Sequence, residues 1–332
     1  MRTWTKSRIQ FTVIALMLVI NAIVWARFVR RLSKSELIND PARRPENVRT
    51  PEEERRIPPL RAAIEKLRPL HKRLGEPEPG DWRAVYGDVE QTFDDFLEYN
   101  HRVLDGPRRV LYIQPIGEFT RTQHEIIVKT AGYMAAYFNV PVEIRSALPL
   151  SLVGEEGRRT HPAWGGEQIL TTHLLRLVLG PRLPDDAVAY IGLTAEDLWP
   201  GGQWNFVFGQ AATGGRIGVY SMYRFGNPDE SDKAYKLCLR RTMKLATHET
   251  GHIFFLRHCT QYECNMCGCN HLEELDRHPL HLCAGCMAKV CFALAADPSE
   301  RYKRLLEICR SYGFEEEAAF FEKAIGVLGT HR

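Results

Sequence analysis

No cysteine precedes Cys238, and six of the nine fall between Cys259 and Cys286. That distribution argues against a disulfide framework spread over a domain and favours a compact metal site. An excess of one charge is missing too: 44 Lys and Arg against 41 Asp and Glu leave a net +3. Such a balance gives no ground for nucleic-acid binding. Around the cysteines lie Glu263, Glu273, Glu274 and Asp276, not a basic stripe with interleaved aromatics. Internal repeats and low-complexity tracts are absent. The 332 residues, 44% hydrophobic and 26% charged, make an ordinary globular chain with room for an ample core.

The front of the chain departs from this. Ile9–Ala26 is an uncharged apolar run of 18 residues, broken only by Gln10, Thr12 and Asn21. About 20 residues span a bilayer and roughly 17 is the lower limit, so a transmembrane helix is expected over 9–26. Trp4 and Trp25 stand at its ends, where aromatic belts lie. The competing expectation is a cleaved secretory signal with Arg2, Lys6 and Arg8 as its basic region. Basic residues flank both ends, which leaves the side of the membrane open. After this anchor region (1–34), the Pro-, Arg- and Glu-rich stretch Ser35–Pro59 predicts a linker. Leu60–Leu74 has helical spacing, so 35–79 is expected to be linker and short helix.

From residue 80 to the end, one catalytic domain is expected. A helical stretch near Val89–Leu97 is followed by alternating elements. Strands are expected at Arg109–Pro115, Val142–Ser146, Ala187–Leu193, Trp204–Phe208 and Arg216–Met222. Helices are expected at Thr120–Phe138, Gln168–Leu179 and Ser231–Phe255, then from about Cys286, Ser299 and Phe314. The class is α+β (mixed α/β), a mixed sheet with helices against it.

The Ser231–Phe255 helix carries His248, Glu249 and His252. Residues four apart share a helical face, so both imidazoles can bind one ion. Glu249 is rotated about 100° from His248, placed to take a proton from a zinc-activated water. His-Glu-x-x-His arises by accident in about 4% of such chains, and a third histidine at His258 cuts that to roughly 0.1%. A continuing helix would carry His258 off the face, so the chain must double back after Phe255. The pattern points to a catalytic zinc.

Cys259, Cys264 and Cys283-x-x-Cys286 have the spacing of a closed Cys₄ zinc site, which stays structural because it has no open position. Cys267 and Cys269 are spare thiols that could replace a member, and His271 is a weaker substitute. Cys238, Cys291 and Cys309 read as small buried hydrophobes on helices.

The run His248–Cys286 resembles the archaemetzincin (archaelysin-like) zinc metallopeptidases of the metzincin clan. Cys264-Asn265-Met266 matches their C-x-M element, and Leu111–Gly117, Thr194–Leu198, Trp204–Gln210, Val219–Ser221 and Asn270–Pro279 extend the likeness. The resemblance implies a metzincin-like catalytic domain with a twisted mixed sheet, an active-site helix and a C-terminal helical part. It also implies Met266 as the Met-turn residue beneath the catalytic zinc, two zinc ions, and peptide or protein substrates. Substrate is expected antiparallel to an upper edge strand, sought at Arg216–Met222. The family pattern has glycine where this chain has Phe255. Glycine there permits a left-handed turn that costs other residues about 1–2 kcal/mol. The alternative is therefore a catalytically degenerate zinc-binding interaction protein whose third imidazole is displaced.

Overall fold

The computed structural model describes residues 49–98, 104, 107–213 and 215–329. The apolar run Ile9–Ala26 lies outside them. Among the described residues no helix is long and apolar enough to cross a membrane.

The strands are β1 (Val110–Ile116), β2 (Val142–Ile144), β3 (Arg158–Thr160), β4 (Glu167–Leu170), β5 (Ala187–Thr194), β6 (Asp197–Trp199), β7 (Gly209–Ala212) and β8 (Ile217–Ser221). Five form one sheet in the order β2-β1-β5-β8-β7, parallel except for β7, which runs antiparallel to β8. The other three form a smaller sheet, β3-β4-β6. This is the mixed α/β class expected.

Alternation along the strands divides the interior in two. Leu111, Ile113, Ile191, Leu193 and Tyr220 face the larger core, formed with the Arg121–Phe138 and Asp232–Ile253 helices. Tyr112, Ile116, Tyr190 and Val219 face a smaller core under Leu174, Val178 and Leu179.

Four sequence expectations need correction. Arg216–Met222 is not an edge: β8 pairs with β5 on one side and β7 on the other, and β7 is the edge strand on that side, with β2 at the opposite edge. Trp204–Phe208 forms no strand beyond a bridge between Leu198 and Val207, and the edge strand starts at Gly209. Gln168–Leu170 belongs to β4, and only from Thr171 does the chain coil, ending in a π-helical stretch over Leu174–Leu179. Finally, Pro51–Pro59 is helical. The helix Pro51–Leu67 begins at Thr50, whose hydroxyl accepts from Glu53 N at 3.2 Å while Glu53 Oε2 accepts from Thr50 N at 2.6 Å. Pro51 sits in the first turn, where a missing N–H costs nothing. Ile57, Leu60, Ala63 and Leu67 bury themselves in the larger core, which outweighs Pro58 and Pro59 inside the helix.

Candidate metal centres

The Asp232–Ile253 helix starts at Ser231, whose hydroxyl accepts from the Ala234 N–H at 3.2 Å. Its last turn places the Nε2 atoms of His248 and His252 3.0 Å apart. His248 Nδ1 meets the Asn265 carbonyl at 2.8 Å and His252 Nδ1 the Leu256 carbonyl at 2.7 Å. A carbonyl only accepts, so each Nδ1 carries the proton and each Nε2 presents a lone pair. Lone pairs so close repel unless a cation lies between them. Zn–N bonds near 2.0–2.1 Å put two imidazole nitrogens of a tetrahedral site about 3.3 Å apart, so these donors fit zinc. Burial, with neighbouring imidazoles adding, holds His248 well below the usual imidazole range and His252 at about 3. Both are neutral at pH 7, the form a metal takes.

The helix ends as the glycine-dependent expectation requires, but without glycine. Phe255 adopts φ 66°, Phe255 N donates to His252 O at 3.0 Å and Leu256 N to Gly251 O at 3.0 Å. These two bonds are a Schellman turn, and it reverses the chain toward His258. A side-chain amide braces the turn. Gln91 Nε2 donates to Phe255 O at 3.1 Å and Gln91 Oε1 accepts from Arg257 N at 3.1 Å, while the buried Lys289 ammonium reaches Gln91 Oε1 at 3.3 Å. Gln91→Ala would leave two backbone groups of a strained turn without partners. It is expected to cost about 1–3 kcal/mol, read as a lower denaturant midpoint at unchanged slope. An unchanged midpoint would show that the turn needs no brace.

Beyond the turn, the His258 ring centroid lies 5.4 Å from that of His248 and 5.0 Å from that of His252. One nitrogen from each of the three rings falls within 4.8 Å of the others. His258 Nδ1 is 3.0 Å from Asp88 Oδ1, which leaves Nε2 for the shared point. The displaced third imidazole that would favour a degenerate site is not found.

Glu249, buried beside this group, has its carboxyl pushed up to about 8 by burial. A cation at the imidazoles would oppose that shift. Its carboxylate lies against the edge strand: a Cβ on Gly209 would stand 2.7 Å from Glu249 Oε1, so glycine at 209 makes its room. Met266 packs beneath the helix in the same manner, its Sδ 2.6 Å from where a Cβ on Gly251 would be.

The sulfurs of Cys259, Cys264, Cys283 and Cys286 lie within 4.8 Å of one another, and Cys259 Sγ is 3.7 Å from Cys283 Sγ. Zn–S bonds of 2.3 Å make the edge of a tetrahedral thiolate site about 3.8 Å, so this set also fits zinc. Main-chain N–H groups point at the sulfurs: Met266 N and Cys283 N donate to Cys264 Sγ at 3.4 and 3.2 Å, and Cys286 N to Cys283 Sγ at 3.5 Å. Hydrogen bonds from Cys264, Cys267, Cys283 and Cys286 hold the Cys259 thiol well below its usual range. Burial, with the neighbouring Cys259, Cys283 and Cys286 adding, pushes Cys264 up. Of the spare thiols, Cys267 touches Cys259, and Cys269 Sγ donates to the Cys267 carbonyl at 3.6 Å. His271 is no substitute ligand, because its Nε2 lies 3.1 Å from Asp81 Oδ1 and its Nδ1 3.1 Å from Glu273.

Asp81, His271 and Glu274 also converge, but their oxygens are occupied. Arg277 Nη2 holds Asp81 Oδ1 at 2.5 Å, and Glu274 accepts from Trp82 N and Asn270 N. Sequence reasoning missed Asp88 and Gln91, which reach the site from 164 to 170 residues away. No local spacing marks either.

The profile of peptidase family M54 matches residues 143–291, which contain all seven candidate ligands and Glu249 but neither Asp88 nor Gln91. Archaemetzincin-2 of Homo sapiens is 35% identical over 259 residues, 69% of this chain and 71% of that protein. The archaemetzincin of Archaeoglobus fulgidus is 31% identical over 180 residues, 54% of this chain and 98% of its own. Identity and coverage together place the chain among the archaemetzincins, peptidase family M54, and so among the zinc metallopeptidases.

Proposed function

We propose that the protein hydrolyses peptide bonds with a zinc ion held by His248, His252 and His258, and that Cys259, Cys264, Cys283 and Cys286 hold a second, structural zinc. The observation that carries this reading is the triple of imidazoles: each has one nitrogen tied to an acceptor and the other left for a common point, with Glu249 alongside. Zinc in such a site lowers the pKa of a coordinated water to about 7 and polarises the scissile carbonyl. Glu249 takes a proton from the attacking water as its oxygen bonds to the carbonyl carbon, and delivers that proton to the amine nitrogen, which departs with the electron pair of the C–N bond as it breaks. The substrate is a peptide or protein segment that extends along β7, the free sheet edge beside Glu249, and pairs with its main chain.

Incubating the purified full chain with a mixed-sequence peptide library, with zinc counted per chain, tests this. Cleavage products and two zinc ions are expected. One thiolate-bound zinc and an untouched library would favour the interaction-protein alternative. We also propose, on sequence grounds alone, that Ile9–Ala26 anchors the chain in a membrane. The full-length protein should then stay with membranes through alkaline carbonate extraction, and its release would refute the anchor.

A further inference from the structure

The segment Trp82–Gln91 lies outside residues 143–291, the stretch matched by the family profile, yet it touches the imidazole site at three points. Asp88 Oδ1 is 3.0 Å from His258 Nδ1. Trp82 Nε1 donates to the same Asp88 Oδ1 at 3.3 Å, and the indole meets the His258 ring edge-on at a centroid distance of 5.0 Å. Gln91 braces the turn that delivers His258. The indole is itself seated: a Cβ on Gly268 would stand 2.4 Å from Trp82 Cδ1, and the Trp82 main-chain N–H donates to both Glu274 oxygens at 3.0 Å.

A carboxylate on the outer nitrogen of a ligating imidazole fixes its tautomer and rotation and makes the inner nitrogen a better donor. His248 and His252 obtain this from main-chain carbonyls of the segment that follows their own helix. His258 lies on a non-helical stretch after a strained turn and obtains it from elsewhere in the chain. We propose that Asp88, oriented by Trp82, is the positioning residue for the third imidazole, and that the Trp82–Gln91 segment thereby sets the metal affinity of the imidazole site. The proposal rests on the zinc-site reading above. It assigns a role that the His-Glu-x-x-His motif and the cysteine module do not contain.

The test is metal affinity of the full chain, by competition against a chelator and by cobalt(II) titration. Cobalt bound to thiolates gives a sulfur-to-metal charge-transfer band that imidazole-bound cobalt lacks, so the two sites are read separately. Asp88→Ala is expected to weaken the imidazole site about 10–100-fold and to leave the thiolate site unchanged. Asp88→Asn keeps an acceptor oxygen and should recover part of the loss, and Trp82→Phe, which keeps an aromatic ring but removes the indole donor and some of its packing, should show a smaller loss of the same kind. Equal imidazole-site affinity in wild type and Asp88→Ala would overturn the proposal. So would equal weakening of both sites, which would mark a general structural role. A wild-type chain that binds metal only through its thiolates sinks the hydrolase reading and this one together. Two loaded sites with an indifferent Asp88→Ala sink this one alone.

Discussion

Replacing Glu249 by glutamine is expected to leave the two proposed zinc ions bound and to lower peptide hydrolysis by about 10²–10⁴-fold, the contribution of a positioned general base. The variant keeps the shape that fits against Gly209, so packing is not disturbed. The carboxylate is not among the three nitrogens that converge, and the amide therefore removes no ligand. What it removes is the ability to accept a proton. The loss should fall on kcat rather than KM, because the proton moves only in the chemical step. Turnover equal to wild type, with zinc at two per chain, would show that another group takes the proton.

The second large effect is expected at the thiolates. Cys283→Ala removes a proposed ligand and, at the same time, the side-chain cap of the Ala284–Ala293 helix. Zinc in a structural site is worth on the order of 10–16 kcal/mol, as much as the whole net stability of a typical domain at about 5–15 kcal/mol. The loop closed by this site holds both Met266 and the stretch after His258: Cys259 N donates to Met266 O at 2.8 Å. Loss of the clamp should therefore lower zinc from two per chain to one or none and collapse the thermal transition. Cys269→Ala, beside the cluster but outside it, should keep both ions. Two zinc ions retained in Cys283→Ala would refute the four-thiolate assignment.

How much of this was legible in the sequence depends on the reach of each interaction. His248 and His252 are four residues apart on a helix whose apolar face is plain, so their convergence follows from helical geometry. The cysteine spacings are equally local. Even the turn after His252 could be anticipated, since His258 can join the other two only if the chain reverses near Phe255. Strand roles were less legible. Trp204–Phe208 has strand-like residues, but which strand lies at an edge is decided by pairing partners that spacing does not reveal. The helix at Pro51 did have a signal: Thr50-Pro51-Glu52-Glu53 is a capping box with proline in the first turn, masked by the Pro- and charge-rich composition around it. Asp88 and Gln91 had none. An aspartate that serves a distant imidazole looks like any other aspartate until the fold is closed.

That distance has a consequence for how the protein matures. His248 and His252 come together through bonds within one helix, which form fast. The contacts that fix His258 join positions 164 to 170 residues apart, so they form only when distant parts of the chain meet, which is slower than forming a helix turn. During synthesis the Trp82–Gln91 stretch leaves the ribosome long before its partner exists and must wait for it. Until it docks, His258 lacks the partners that fix its ring, while His248 and His252 already share a helical face, so completing the imidazole triple depends on long-range closure of the chain.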